Sequence, residues 1–407
     1  MPSPRSIPDE RDSAIRIIDI LRKADHTAYL AGGCVRDQLL GETPKDYDVA
    51  TSAHPNHITE LFQKTAAVGA AFGVMLVRDF GPTIEVATFR SDGPYSDARR
   101  PDHVHYSSPE EDAERRDFTI NALFLDPHKD GDTIIDFVNG QADIEAKVLR
   151  AVGDPHQRLK EDHLRALRAV RFAARYNLTI DPETSEAIKQ HASELSGVSI
   201  ERIGEEIRRM MAHESRARAA GLLQLLTLDR SVFGHDAQSP DLPILLELDP
   251  GADAMTALAA WACDRLDDTK AINWRTKLDL SNDQSQQLNA TLQISEELIH
   301  QWDQMSVADR KRLACRPHCC GAIMLVRAMN SKLAEVICTD IQSMTNDGIG
   351  LAPDPLITGQ TLIEMGQSPG QAFKEVLDRV YDAQLEGKVK FFESACNLAQ
   401  ELFVNQS

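Results

Sequence analysis

Positive charge is in short supply in this chain: 44 lysines and arginines stand against 63 aspartates and glutamates, a formal net charge of −19. So acidic a body repels phosphate at long range, which disfavours tight non-specific binding along a nucleic-acid strand. Long apolar runs are also missing. The stretch before Asp25 carries charges throughout, which speaks against a secretory signal or a membrane span and leads to the expectation of a cytoplasmic protein. Seven cysteines at irregular spacing in 407 residues argue for reduced thiols rather than a disulfide scaffold. Cys315, Cys319 and Cys320 around His318 invite a zinc reading. A second pair at finger-like spacing is absent, however, and cysteine on an apolar helix face is ordinarily just buried. No internal repeat or low-complexity tract appears.

What is present is enough apolar content, 42% of residues, to bury more than one core. Residues 1–12 are rich in proline and charge and are expected to be disordered; Ala14, Ile17, Ile18 and Leu21 then have the spacing of a packing helix. Strand patterns cover Ala28 to Ala31, Tyr47 to Ala50, Val74 to Phe80, Thr83 to Phe89, Thr119 to Leu125 and Thr133 to Phe137. Helices are expected after Gly33, after Pro55 and before Arg116. The polar stretch from Ser91 to Pro109 reads as a long loop, and Ser108 with Glu111 as a capping box for the next helix. From Ala142 onward strand signals vanish. The fold class expected is therefore an α/β head with a small mixed sheet, followed by an all-α neck, body and tail. The divisions expected are 1–25, an N-terminal segment with the packing helix; 26–145, the head; 146–212, the neck; 213–345, the body; and 346–407, the tail.

The chemistry begins at Gly32-Gly33-Cys34-Val35-Arg36-Asp37. Two glycines between an apolar strand and a short helix leave a tight turn with bare backbone, able to cradle phosphate. Asp46 and Asp48 follow, two apart in an expected strand, so both carboxylates point to one face. Side by side they repel unless a cation lies between them, and an all-oxygen pair with little room for a protein cage suits Mg²⁺ that also holds substrate phosphates. Glu85 alternates with Ile84 and Val86 and so faces away from them, a candidate third carboxylate beside the pair. Asp162, Arg165, Arg168 and Arg171, three apart, drift slowly across one helix face, while Leu164, Leu167, Val170 and Ala174 supply a separate buried stripe. Basic residues gather from Arg150 to Arg175 and at Arg202, Arg208 and Arg209, consistent with a basic cleft on an acidic body.

Taken in order, the Gly-Gly-x-Val-Arg-Asp and Asp-x-Asp segments, Glu110-Glu111-Asp112 with Arg115 to Ala122, and Glu161 to Arg168 resemble the motifs of the class II CCA tRNA nucleotidyltransferase and bacterial poly(A) polymerase family. That family belongs to the polymerase β-like nucleotidyltransferases. The resemblance is strong from Tyr29 to Met210 and returns after Pro355, where Thr358-Gly359 and Gly366 to Gly370 are similar to the C-terminal helical module of bacterial members.

The resemblance implies template-independent addition of C and A to the 3′ end of tRNA from CTP and ATP. It implies Asp46 and Asp48 as metal ligands for Mg²⁺, with Glu85 as an accessory carboxylate. Gly32, Gly33 and Arg36 would hold phosphates, while Asp37 braces the loop. Arg115, Arg116 and Asp117 would contact the triphosphate and a ribose hydroxyl, and Asn121 the sugar or its own turn. Asp162 and Arg165 would act as a protein template for the base, supported by Arg168 and Arg171. The same motifs occur in poly(A) polymerases and in enzymes that add only CC or only A. The small, neutral segment Val68 to Val74 around Phe72 resembles the tRNA branch, which places poly(A) activity second. A non-catalytic RNA-binding module is the remote alternative, opposed by the intact Asp46, Asp48 and Asp162 to Arg165. Oligomeric state is left open.

Overall fold

The structure is a computed structural model that describes residues 9–69, 73–93, 103–128, 131–234, 241–265 and 272–404. It divides into two compact units, one of residues 1–210 with 218–237 and one of residues 211–217 with 238–407.

The first unit opens on helix α1 (Glu10–Lys23), capped by the Asp9 side chain on the Asp12 amide, with Ala14, Ile17, Ile18 and Leu21 buried as their spacing requires. The helix thus starts inside the stretch expected to be disordered, because Asp9 supplies the cap; residues 1–8 lie outside the described residues. Strand β1 (Ala28–Ala31), helix α2 (Gly33–Leu39), strand β2 (Asp48–Thr51), helix α3 (Pro55–Leu61) and strands β3 (Thr65–Gly69), β4 (Val74–Val77) and β5 (Ile84–Thr88) follow. Next come β6 (Arg90–Asp92), β7 (Val104–Tyr106), α4 (Pro109–Glu114), β8 (Phe124–Asp126), β9 (Thr133–Ile135) and α5 (Gly140–Glu145). The main sheet has seven strands in the order β3-β4-β5-β2-β1-β8-β9. β2 and β5 run parallel and every other pair antiparallel. Ala31 pairs with Asp48 across β1 and β2, so the Gly32 turn and the Asp48 carboxylate emerge at the same sheet end.

Four local expectations are corrected. Asp46 precedes β2 rather than lying in it, and β2 starts at Asp48. The expected strand Thr119 to Leu125 is split into a 3-10 turn, Thr119–Asn121, and β8. Polar side chains cause the split: Asp117 Oδ1 accepts from the Phe118 amide and Asn121 Nδ2, and Thr119 Oγ1 donates to Asp143. Gly140 packs so close to that turn that a Cβ would lie 2.3 Å from the Thr119 carbonyl oxygen. The polar stretch from Ser91 to Pro109 contains the antiparallel pair β6–β7, and residues 94–102 within it lie outside the described residues. Beyond Ala142 strand structure persists as a two-residue parallel pair, β10 (Val148–Leu149) with β11 (Thr179–Ile180).

Helices α6 (Pro155–Glu161), α7 (Arg165–Arg175), α8 (Pro182–His191) and α9 (Ile200–Met211) complete the part of this unit that carries the site. α7 buries Ala166, Leu167, Ala169, Val170, Ala173 and Ala174, which leaves its arginines on the other face. Helices α10 (Arg216–Leu225) and α11 (Leu228–Phe233) follow.

The second unit is helical in its described residues. It comprises α12 (Pro243–Glu247), α13 (Ala254–Arg265), α14 (Trp274–Leu278), α15 (Asn282–His300), α16 (Val307–Ala314), α17 (Cys319–Met329) and α18 (Ser331–Thr345). α19 (Gly359–Glu364), α20 (Gln371–Leu385) and α21 (Phe392–Val404) end the chain. One apolar cluster gathers Ile294, Leu298, Trp302, Leu313, Val326 and Ile337; a separate one gathers Ile357, Leu362, Val376, Val380 and Ala395. Cys319 is part of the first cluster, and burial pushes its thiol up to about 11. Among the described residues no helix is long and apolar enough to cross a membrane.

Candidate active site

At the sheet end where β1 stops and β2 starts, a cavity of about 430 Å³ opens, lined by Gly32, Gly33, Arg36 and Asp48 from the sheet side. Arg115, Arg116, Asp117 and Asn121 form a second wall, and Asp162, Arg165, Arg168 and Phe172 a third. Three segments far apart in sequence are thus brought to one place. Gly32 adopts φ +69°, and a Cβ there would approach Arg116 Nη1 to 3.0 Å, so both backbone and space favour glycine.

Asp48 sits on β2 beside β5, one step before the parallel pair Val49–Val86, which places Glu85 next to it. Burial raises the Asp48 carboxyl to about 6; the Glu85 and Asp46 charges push the same way, and Arg116 opposes them. Carboxylates crowded in this manner, with a single opposing guanidinium, fit a divalent cation. Among the described residues no group of three or more His, Cys, Asp or Glu is placed to hold a metal by itself. The donor set therefore suits a hard cation that takes its remaining oxygens from phosphate and water.

The arginine wall is organised by Asp112, whose side chain is only 2% exposed. Its Oδ1 accepts from Arg115 Nη2 at 2.7 Å and its Oδ2 from Arg116 Nη2 at 2.9 Å, the i,i+3 and i,i+4 spacings of a helix end. Burial alone would raise this carboxyl, but Arg116 and Arg115 hold it below the usual carboxylate range. Sequence reasoning quoted Asp112 in a motif without giving it a role, although the spacing to the two arginines was the available signal. Asp117 is likewise engaged. Arg168 Nη2 lies 2.6 Å from its Oδ2, and against the cost of burial Arg168 and Asn121 hold its carboxyl down to about 2.

Arg36 lines the cavity, yet most of its donors are committed inside the protein. Nε and Nη2 donate to Asp37 Oδ1, Nη1 to Asn121 Oδ1 and Nη2 to the Tyr176 hydroxyl, with the guanidinium over the Phe172 and Tyr176 rings. It ties the glycine turn to α7 and keeps little of its fork for a ligand. Arg171 does not line the cavity. Its Nε donates to Glu206 at 2.6 Å, so the expected third arginine of the selecting face fastens α7 to α9 instead.

Asp162 and Arg165 flank the junction of α6 and α7, where Asp162 takes an extended backbone, φ −154° and ψ 104°. Arg202 reaches from α9 to Asp162, with Nη2 to Oδ2 at 2.6 Å, and the Leu164 amide donates to Oδ1. Arg165 Nη1 donates to Glu161 Oε2 at 2.6 Å and to the Arg158 carbonyl, and Nη2 to the Arg115 carbonyl. Three of its five N–H groups are used, leaving Nε–H and one on Nη2 for a ligand. Phe172 and Tyr176 are residues that sequence reasoning did not single out, and Arg202 was grouped only with the basic cleft; Phe172 is buried beneath the Arg36, Arg168 and Arg171 guanidiniums.

Residues 28–150 match the family described as Poly A polymerase head domain, and residues 177–233 the probable RNA and SrmB-binding site of polymerase A. The CCA-adding enzyme of Pediococcus pentosaceus is 34% identical over 386 residues, covering 92% of this chain and 93% of that protein. That of Levilactobacillus brevis is 43% identical over 222 residues, 54% of this chain and 55% of its own length, so the chain spans about half of that relative. Among solved structures, the Bacillus stearothermophilus CCA-adding enzyme in complex with CTP matches with a TM-score of 0.81 and 27% identity, covering 98% of this chain and 99% of that one. A Thermotoga maritima CCA-adding enzyme complexed with tRNA shares the fold at a TM-score of 0.71 and 18% identity, over 99% and 97% of the two chains. The chain belongs to the class II CCA tRNA nucleotidyltransferase and bacterial poly(A) polymerase family. It is by family an RNA nucleotidyltransferase.

Proposed function

We propose that the protein adds C and A to tRNA 3′ ends without a nucleic-acid template, using CTP and ATP. The observation that carries this reading is the convergence of Asp162, Arg165, Arg116 and Asp48 on one cavity. Asp162 keeps an acceptor lone pair and Arg165 keeps two donors. Cytosine and adenine each offer an amino donor beside ring acceptors, which complements that arrangement. Uracil and guanine present a carbonyl where the amino group would be, against a carboxylate, and a ring N–H against a guanidinium.

Asp46 and Asp48 would hold Mg²⁺, with Glu85 alongside. A bound Mg²⁺ would supply charge neutralisation on the triphosphate and a lower pKa for the attacking RNA 3′ hydroxyl. Arg115 and Arg116, fixed by Asp112, face the phosphates with geometry set before the nucleotide arrives. Asp117 and Asn121 form the wall where a ribose hydroxyl is accepted, Arg168 holding the aspartate. We read residues 26–145 as the catalytic head, 146–212 as the selecting neck and 346–407 as an RNA-binding tail, acting in the cytoplasm. The neutral stretch at Val68 to Val74 favours tRNA over a growing poly(A) strand; residues 70–72 within it lie outside the described residues.

The deciding experiment is incorporation of each labelled nucleotide, with Mg²⁺, into tRNA transcripts ending at the discriminator base, at C and at CC, and into an oligo(A) primer. Sequential C, C and A addition that stops is the expected result. Open-ended A tails would make the protein a poly(A) polymerase, addition to one class of tRNA end a partial enzyme, and silence on every substrate a binding module.

A further inference from the structure

Outside the cavity, four side chains of the same unit form a connected chain that ends at the selecting turn. His156, on α6, places Nδ1 3.1 Å from Nε2 of His191, the last residue of α8. His191 places Nδ1 3.1 Å from Oε1 of Glu194, in the 3-10 turn Ala192–Gly197. The second oxygen of Glu194 lies 3.4 Å from Nε2 of His163, the residue between Asp162 and Leu164. The His163 and His191 side chains are 14% and 12% exposed. His163 Nδ1 is buried with no hydrogen-bond partner.

One proton arrangement satisfies the neutral chain. Glu194, ionised, accepts from Nδ1–H of His191 and faces Nε2–H of His163, while Nε2 of His191 accepts from Nδ1–H of His156. His163 is faced by Glu194, His191 and Asp162, and Glu194 also by Lys160. Burial, opposed by Glu194, holds the His163 imidazole below its usual range.

The junction bearing Asp162 is not helical, so its pose depends on what its side chains grip. We infer that His163, braced through Glu194 onto His191 and His156, is a positioning residue that fixes the Asp162 turn and makes base selection pH-dependent. The inference rests on the reading that Asp162 and Arg165 select the base. A proton added to His163 must occupy Nδ1, a buried donor with no hydrogen-bond acceptor. That unpartnered donor loosens the brace.

The test measures kcat/KM for CTP relative to UTP on a tRNA transcript ending at the discriminator base, from about pH 5.5 to 8. The ratio cancels pH effects that both nucleotides share. For the wild type we expect a high plateau above about pH 7 and a fall of roughly three- to tenfold toward the acid end, the size of one hydrogen-bonded contact. His163→Gln, whose amide N–H replaces Nε2–H and does not titrate, should keep the plateau at every pH. His163→Ala and Glu194→Ala should show the low ratio throughout, with the KM for tRNA unchanged. A pH-independent wild-type ratio, or a His163→Ala ratio equal to wild type at neutral pH, overturns the inference. Should His163→Ala fail to fold, the wild-type profile and His163→Gln still decide. Asp162→Ala separates the two levels: if it leaves the ratio intact, base selection by Asp162 is wrong, whereas its collapse beside unaffected His163 variants removes the brace alone.

Discussion

Arg202 holds Asp162 from behind, Nη2 to Oδ2 at 2.6 Å and Nη1 to Oδ1 at 3.2 Å, with both side chains largely shielded. Asp162, the acceptor proposed to face the base, is therefore oriented by a cation on a different helix. Replacing Arg202 by alanine should raise the KM for CTP and ATP by roughly tenfold or more, the scale of a lost charge-assisted hydrogen bond, and leave tRNA affinity unchanged. Steady-state kinetics with each nucleotide checks this, and unaltered KM values would show that Asp162 needs no such support.

Asp48→Asn should abolish nucleotide transfer while stabilising the metal-free protein. The folded carboxyl titrates at about 6, above its ordinary value, so its ionised form destabilises the fold and this cost grows as pH rises through that range. After allowance for solvent screening, a gain on the order of 1–2 kcal/mol at neutral pH is expected. Urea melts in chelator at pH 8, 5 and 3.5 provide the check; the gain should be full at pH 8, about half of that at pH 5 and nearly gone at pH 3.5, below the ordinary carboxylate value, and an equal effect at all three would contradict it.

Asp117 works in the opposite sense. Its carboxyl is held at about 2, so it contributes stability that is complete above about pH 4 and is lost as pH falls through 2. Asp117→Asn should cost about 2 kcal/mol at neutral pH and flatten the acid limb of stability between about pH 4 and 2. Thermal melts across that range, wild type against variant, would reveal parallel curves if the Arg168 pair had no such role.

Removing Asp112 strips the common partner from Arg115 and Arg116. Asp112→Ala should destabilise the head by roughly 3–5 kcal/mol, as for a buried charge pair broken on one side, and lower transfer activity beyond that. A chemical-unfolding midpoint close to wild type would mean that Arg90 and Asn121, whose carbonyls also accept from these arginines, are sufficient.

The Gly32-Gly33 turn, the apolar run of β1, the alternation of β5, the Ser108 cap of α4 and the buried stripe of α7 are local signals, and each was legible in the sequence because it depends on near neighbours. So was the family, since its motifs are ordered along the chain. The sequence could not say which arginines face a ligand and which face another side chain. Arg36 follows a glycine turn and Arg168 and Arg171 lie on an arginine-rich helix, yet they are largely committed to Asp37, Asp117 and Glu206, the last two pairings made between segments 51 and 35 residues apart. The strand expected at Thr119 failed for a related reason: Asp143, distant in sequence, takes the Thr119 hydroxyl.

The sequence by itself determined the fold class, an α/β head followed by helices, and the reaction class, because these follow from residue type, short spacing and the order of motifs. Only the tertiary structure decided that Arg202 orients Asp162, that Asp112 fixes two arginines at once and that His163 joins a chain reaching His156. Those relationships depend on which charges meet across helices, and in a partly buried site the partner, not the residue alone, sets each group's charge, pose and freedom to bind.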